Sequence, residues 1–239
     1  MDSLPAAVVS ALTAPSRWDD VVSAVADFDR EVRACPTAEH VGAAARVVEV
    51  LSTPAHASLA DGALGTHAVA CAAWPPDPDA LVAWLLWLQL DFPEAPEVRL
   101  AVYAGALGER GLGLYRERAV AKFGALPVIG FGETGRYDRA RWALLRIMEE
   151  LAEFTQDVDL QVLVLEKDLS SGWHYLQVAT VLQEAGRSED AIEWVHRGLA
   201  ATGGRGAAAR LVDLGAAEYV RLGRPAEAAE LRRATDPVR

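Results

Sequence analysis

WHYLQVATVLQEAGRSEDAIEWVHRGL, running from Trp173 to Leu199, decides the fold. Leu176, Ala179, Leu182 and Ala185 recur at three-residue steps, and Val178 and Val181 widen them into a broad apolar helical face. Gly186 follows the last periodic residue, where glycine takes the left-handed conformation that closes a helix without strain at Cβ. Ser188 is then placed to cap a second helix, with Glu189 and Asp190 in a first turn whose dipole favours negative charge. The stretch therefore predicts two short helices folded back on each other. Such a hairpin cannot bury its faces alone, so neighbours are expected on both sides.

One neighbour is legible as a repeat. Gly186-Arg187-x-x-Asp190-Ala191 returns as Gly223-Arg224-x-x-Glu227-Ala228, 37 residues on, with Ala179 answered by Ala216 and Leu182 by Tyr219. Upstream, Val21, Val25, Phe28 and Val32 keep a 4-3-4 spacing that predicts an amphipathic helix ending near Pro36. Val41, Ala45, Val48 and Leu51 repeat the pattern, and an alanine-rich segment runs from Leu59 to Ala73. Asp77 as N-cap with Pro78 at the first helical position opens DALVAWLLWLQL, which is apolar on nearly every side and predicts a buried helix with Trp84 and Trp87 in the core. Gly108 separates Glu97–Leu107 from Gly111–Phe123. A long helix from Arg139 to Phe154 directs Leu144, Ile147, Met148 and Leu151 inward, with Trp142 also expected in the core, and a shorter one spans Gln161 to Leu169. No alternating β-branched run and no Asn-Gly turn appears. The expected fold is all-α: a helical bundle over residues 1–124 and stacked hairpins over 139–239, joined by a glycine-rich loop, 125–138.

Ala179, Ala191 and Gly198, with Tyr175, Leu182 and the turn glycine Gly186, resemble the small and large knobs of the tetratricopeptide pattern, which implies a tetratricopeptide-like α-solenoid. A wider resemblance rests on Asp77-Pro78-x-x-Leu81-x-x-Trp84-Leu85 and on Tyr103-x-x-x-Leu107-Gly108-x-x-Gly111-Leu112-x-x-Tyr115-Arg116. It extends to Met148-Glu149-x-Leu151-Ala152, Asp168-Leu169-Ser170 and Gly186-Arg187 with Ala191, Trp194, Gly198 and Leu199. Together these are similar to the helical region of bacterial SWIM zinc-finger family proteins. That family's metal motif is C-x-C followed by C-x-H; Cys35 and Cys71 cannot supply it, so neither the zinc site nor the nucleic-acid role it implies carries over.

With 51% hydrophobic residues in 239, the chain can bury roughly three quarters of the surface its unfolded form exposes. A net charge of −11 argues against nucleic acid or an anionic membrane as partner, since both need a local Lys/Arg excess. Two cysteines are too few for a disulfide framework; they sit in apolar patterns, as buried thiols do, and suit a reducing cytoplasm. MDSLPAAVVSALTAP lacks a basic leader region, and Ala80–Leu90 is about half a bilayer span. Lysine appears only at 122 and 167 against frequent arginine, which by association suggests a bacterial genome rich in GC. A cytoplasmic protein is expected.

The chemical motifs reduce on inspection. Gly130-x-Gly132-x-x-Gly135 matches a dinucleotide fingerprint, but no alternating strands and helices supply the sheet a cofactor straddles, so a loop between helices is expected. His67 and Cys71 share a helical face at ligand spacing with only His40 and His56 as further candidates, which leaves a histidine beside a core thiol. Glu149, Glu150 and Glu153 read as a solvated face, with Arg146 pairing Glu150. No nucleophile, base and orienter converge, and no cofactor or metal is expected. The function expected is an interaction module that holds a peptide or partner protein, with Trp173, Tyr175, Trp194, Arg187 and Arg224 as candidate binding residues and His174 and His196 nearby. The alternative is a small-molecule-binding protein or enzyme with a pocket between the two halves, near the glycine-rich loop and Trp142. The oligomeric state is not encoded.

Overall fold

The structure, a computed structural model, describes residues 18–92, 96–136 and 138–235. The amino-terminal stretch through Pro15 lies outside them. Among the described residues the fold is all-helical, with eleven helices and one isolated bridge, Ile129 to Asp168, in place of any sheet. None of these helices is long and apolar enough to cross a membrane. The chain divides into two compact units, one of residues up to Lys122 with Trp142–Glu150, the other of Phe123–Arg141 with Leu151 onward.

In the first unit, α1 (Trp18–Ala34) buries Val21, Val25, Phe28 and Val32, the stripe read in the sequence, each such side chain contributing about 1.5–3 kcal/mol when fully covered. α2 (Ala38–Leu51) turns one residue from its expected register: Ala44, Val48 and Leu51 with Ala43 and Val47 are buried, while Val41 and Ala45 are only half-covered. α3 (Ala57–Ala73) packs on both α1 and α2, and its buried Ala60, Ala63, Ala68 and Ala70 keep the approach short. Asp77 caps α4 (Pro78–Asp91) as read, its carboxylate accepting from the Asp79 and Ala80 N–H groups at 3.0 and 3.1 Å.

α4 is not covered all round, which corrects the expectation for its tryptophans. Leu81, Val82, Leu85, Leu86 and Leu88 are buried, but Ala80, Ala83, Trp87 and Asp91 share the outer face and Trp87 is 41% exposed, its ring edge-on to Phe92 at 4.8 Å. Trp84 is half-buried and donates from Nε1 to Glu49 at 2.8 Å. Trp142, also expected inside, is exposed because it stands two residues before Leu144 on α6 (Arg139–Thr155), and residues two apart point away from each other on a helix. α5 (Leu100–Gly124) breaks at Gly108, which leaves the helical region at φ 58° and ψ −175°. Glu150 does not pair with Arg146; it accepts the Leu100 N–H at the start of α5 at 2.6 Å, and Arg146 turns to Glu97 at 3.6 Å.

The second unit holds α7 (Val158–Leu165), α8 (Gly172–Glu184), α9 (Ser188–Thr202), α10 (Ala208–Arg221) and α11 (Pro225–Thr235), each packed on the next where a hairpin joins them. The turn at Gly186 is built as the sequence implies. Gly186 has φ 76°, its N–H reaches the Gln183 carbonyl, and the Arg187 N–H reaches the Leu182 carbonyl at 2.8 Å, which satisfies two carbonyls a helix end leaves open. Gly223 and Arg224 repeat these bonds on Val220 and Tyr219. A third copy went unseen in the sequence: Gln156 takes φ 52° and bonds Glu153, and Asp157 bonds Ala152 at 3.1 Å. Glutamine in this conformation costs roughly 1–2 kcal/mol, and its own side chain, donating to the Glu153 carbonyl at 2.6 Å, offsets part of that.

Ser188 is not the N-cap of α9. Arg187 holds that position, and Ser188, buried in the first turn, accepts instead from Arg221 of α10. Beside it lies a buried carboxylate, Glu218, which receives Gln183 at 2.7 Å and the Arg221 guanidinium. Burial alone would raise its pKa, but bonds with Gln183, Arg221 and Ser188 together hold it below the usual carboxylate range.

Candidate functional site

The five binding candidates do not share a surface. Tyr175 and Trp194 are core side chains, 6% and 5% exposed, with ring centroids 6.1 Å apart and the Arg197 guanidinium lying over Trp194 at 3.7 Å. They correct the expectation of groove-lining aromatics: each stands on the inward stripe of its own helix. Trp173 is half-exposed at the start of α8, with Arg210 over its ring at 4.9 Å. Arg187 follows the end of the same helix, about 20 Å away at 1.5 Å per residue. There it bridges Asp190 at 2.7 Å and Asp159 in the first turn of α7, and Arg224 bridges Glu227 at 2.9 Å and Glu189 in the first turn of α9 at 3.2 Å. Both arginines therefore neutralise helix-start carboxylates.

A groove of about 470 Å³ does form in the second unit, where α9, α10 and α11 meet. Leu199 and Ala200 of α9 with Leu231 and Ala234 of α11 give it an apolar lining, and Glu227 and Glu230 stand along α11. His196 and Tyr219 hold a polar point, Nε2 to Oη 2.9 Å, with Arg224 over the Tyr219 ring at 4.9 Å. The volume falls in the range of sites that enclose a ligand of drug size or a few peptide side chains. Glu227, Glu230, Leu231 and Ala234 lie at i, i+3, i+4 and i+7, so one helical face presents them together. That spacing is the only signal the sequence carried for them.

The histidine and cysteine of the first unit form a closed network. His67 and Cys71 are 2% and 0% exposed; Nδ1 of His67 lies 2.9 Å from Tyr103 Oη and Nε2 lies 3.4 Å from Cys71 Sγ. Tyr103 donates to the Leu64 carbonyl, so the tautomer that satisfies every group has Nδ1–H donating to Tyr103 and Nε2 accepting from the thiol. Burial pushes the imidazole pKa down to about 4 and the thiol up to about 12. A neutral imidazole beside a protonated, enclosed thiol packs the core and does not activate a nucleophile. Cys35, expected in the core, is exposed.

The glycine-rich loop is pinned by backbone bonds. Ile129 exchanges backbone bonds with Lys167 and Leu169 at 3.1 and 2.8 Å, and the Gly132 N–H reaches the Ser170 carbonyl at 3.0 Å. Lys167 donates to the Gly124 and Leu126 carbonyls, and Arg141 to Pro127 and Lys167. Close by, Asp168, Ser170 and Ser171 gather on His174, at 3.2, 3.4 and 3.4 Å, but all three meet the same ring nitrogen, Nδ1. A hydrolytic triad uses both nitrogens, one for the carboxylate and one for the nucleophile. Among the described residues no group of three or more His, Cys, Asp or Glu side chains is arranged to hold a metal ion. No protein-family model, curated protein or solved structure matches the chain.

Proposed function

We propose that the protein is an interaction module in which the hairpins of residues 139–239 stack as a tetratricopeptide-like solenoid and the groove of α9, α10 and α11 receives a peptide segment of a partner protein, in the cytoplasm. The observation that carries the reading is the groove itself: an apolar strip flanked by carboxylates and a His–Tyr pair, on helices that pack over a core already filled by Tyr175, Trp194 and Leu211. The three identical helix-end turns support the repeat, since each sets the same reversal between successive helices. The resemblance to the helical region of SWIM zinc-finger family proteins, which rests on helical residues alone, sits with a scaffold that binds through helices. An enzymatic reading draws nothing from the His67–Cys71 pair, whose protonation states oppose nucleophilic attack.

Ala200 is exposed at the groove wall, so Ala200→Trp fills the groove without entering the core. Chemical crosslinking in cells, compared with the wild type and with the exposed first-unit control Ala101→Trp, is expected to lose a defined set of partners in Ala200→Trp alone. The same set from all three proteins, or no crosslinked partner from any, overturns the reading.

A further inference from the structure

We infer that the segment held in this groove is a cationic amphipathic helix, one that sets small apolar side chains against Leu199 and Leu231 and a lysine or arginine against Glu230. The inference rests on the groove reading above and narrows it to one chemistry. The two carboxylates of the groove are not equivalent. Glu227 is matched by Arg224 at 2.9 Å, and the bonds from that guanidinium hold its carboxyl below the usual range. Glu230 is exposed and, among the described residues, forms no ion pair. One unmatched negative charge thus stands beside an apolar strip.

That arrangement discriminates between occupants. An uncharged apolar segment would strip water from the Glu230 carboxylate and return nothing, and an acidic segment would be repelled by Glu230 and by the protein's net charge of −11. A cation beside an apolar side chain satisfies both features at once. The length fits a helix: Glu227 to Ala234 extends about 10 Å along α11, two turns, so a partner helix meets the strip with residues at i and i+3 or i+4. His196 and Tyr219 then offer a hydrogen-bonding end point for a polar residue one turn further on.

The test uses the full chain, isotopically labelled, titrated with three amidated peptides of equal length and identical leucine and alanine pattern that carry lysine, glutamine or glutamate at the remaining positions. With the lysine peptide, amide shifts are expected at Leu199, Ala200, Glu230 and Ala234, the affinity falling as salt rises, and no shift there with the glutamate peptide. Glu230→Gln should weaken the lysine peptide about threefold, the scale of an exposed ion pair, and leave the glutamine peptide unchanged. Equal binding of lysine and glutamate peptides at these residues, or an unaltered lysine affinity in Glu230→Gln, overturns the cationic inference and leaves the groove standing. Shifts located elsewhere, or groove shifts that persist in a folded Ala200→Trp variant, remove the groove reading together with the inference.

Discussion

Gly198→Ala tests the packing of the central hairpin, because two effects of opposite sign meet at one methyl group. Alanine is favoured over glycine inside a helix by about 1 kcal/mol. Against that, a Cβ at position 198 would lie 2.8 Å from Cβ of Tyr175, 3.1 Å from its Cγ and 3.1 Å from Cδ1 of Leu211, where carbon contacts are comfortable at about 3.5–4.0 Å. Cβ of Tyr175 is fixed to its backbone and cannot rotate away, so α8 and α9 must separate by several tenths of an ångström. Overpacking of this kind costs about 1–3 kcal/mol, which offsets the propensity gain and leaves a net loss of up to about 2 kcal/mol. At Gly113 in α5 nothing stands within 4 Å of the same atom, so only the propensity acts and Gly113→Ala should stabilise. The two substitutions therefore separate in sign. Urea unfolding followed by circular dichroism gives the totals, and amide hydrogen exchange shows whether the loss is confined to α8 and α9. A Gly198→Ala protein more stable than wild type, gaining as much as Gly113→Ala, would refute the argument from close approach.

Acid should destabilise the protein earlier than carboxylates alone require, because His67 holds its folded pKa at about 4 against 6.5 unfolded. From pH 6.5 downward the unfolded chain takes up a proton that the folded one refuses, so stability falls by about 1.4 kcal/mol per pH unit and by roughly 3 kcal/mol at pH 4. His67→Gln should be less stable at neutral pH yet show a flatter slope in that window; urea midpoints with an unchanged slope would count against it. With a thiol-specific chromogenic reagent, exposed Cys35 should react at once and Cys71, fully covered and with its pKa near 12, only on unfolding, so two equally fast thiols would contradict the core assignment. Ala191 is fully buried at a helix crossing, and Ala191→Leu should lose about 1–3 kcal/mol; an unshifted thermal midpoint would place that residue elsewhere.

The sequence was most informative where one residue type does one job. Asp77-Pro78 caps α4 because a short acceptor followed by a residue without an N–H suits a helix start, and Gly186 and Gly223 close their helices because the left-handed conformation favours glycine. The third turn was invisible for the same reason: Gln156 adopts the conformation on the strength of tertiary context, and nothing in its chemistry announces it. Register failed where composition is uniform. α2 is alanine and valine on adjacent stripes, so Ala44 and Val48 or Val41 and Ala45 make equally good faces until α3 chooses between them. In α4 the apolar pattern runs nearly all round, and Trp87 is outside because the leucines at 81, 85 and 88 already fill the contact.

The site was harder to see than the fold, and the reason lies in how many helices each requires. Tyr175 stands at i to Val178, Ala179 and Leu182, and Trp194 lies on the same stripe as Ala191, Val195 and Gly198; the period that makes those neighbours core makes the aromatics core as well. Their polar edges suggested a binding surface, but a hydroxyl or an indole N–H is a small fraction of a side chain whose burial contributes several kcal/mol. The groove residues obey a different rule. His196 and Ala200 on α9, Tyr219 on α10 and Glu230 on α11 each look like ordinary positions on their own helix, and they converge only because two successive turns fix three helices in one arrangement. Periodicity encodes the face of a single helix. A surface shared by three is encoded in the turns, and of the two that join α9, α10 and α11 one, Gly223-Arg224, answers Gly186-Arg187 in the sequence, while the other, Gly203 to Gly206, has no such counterpart.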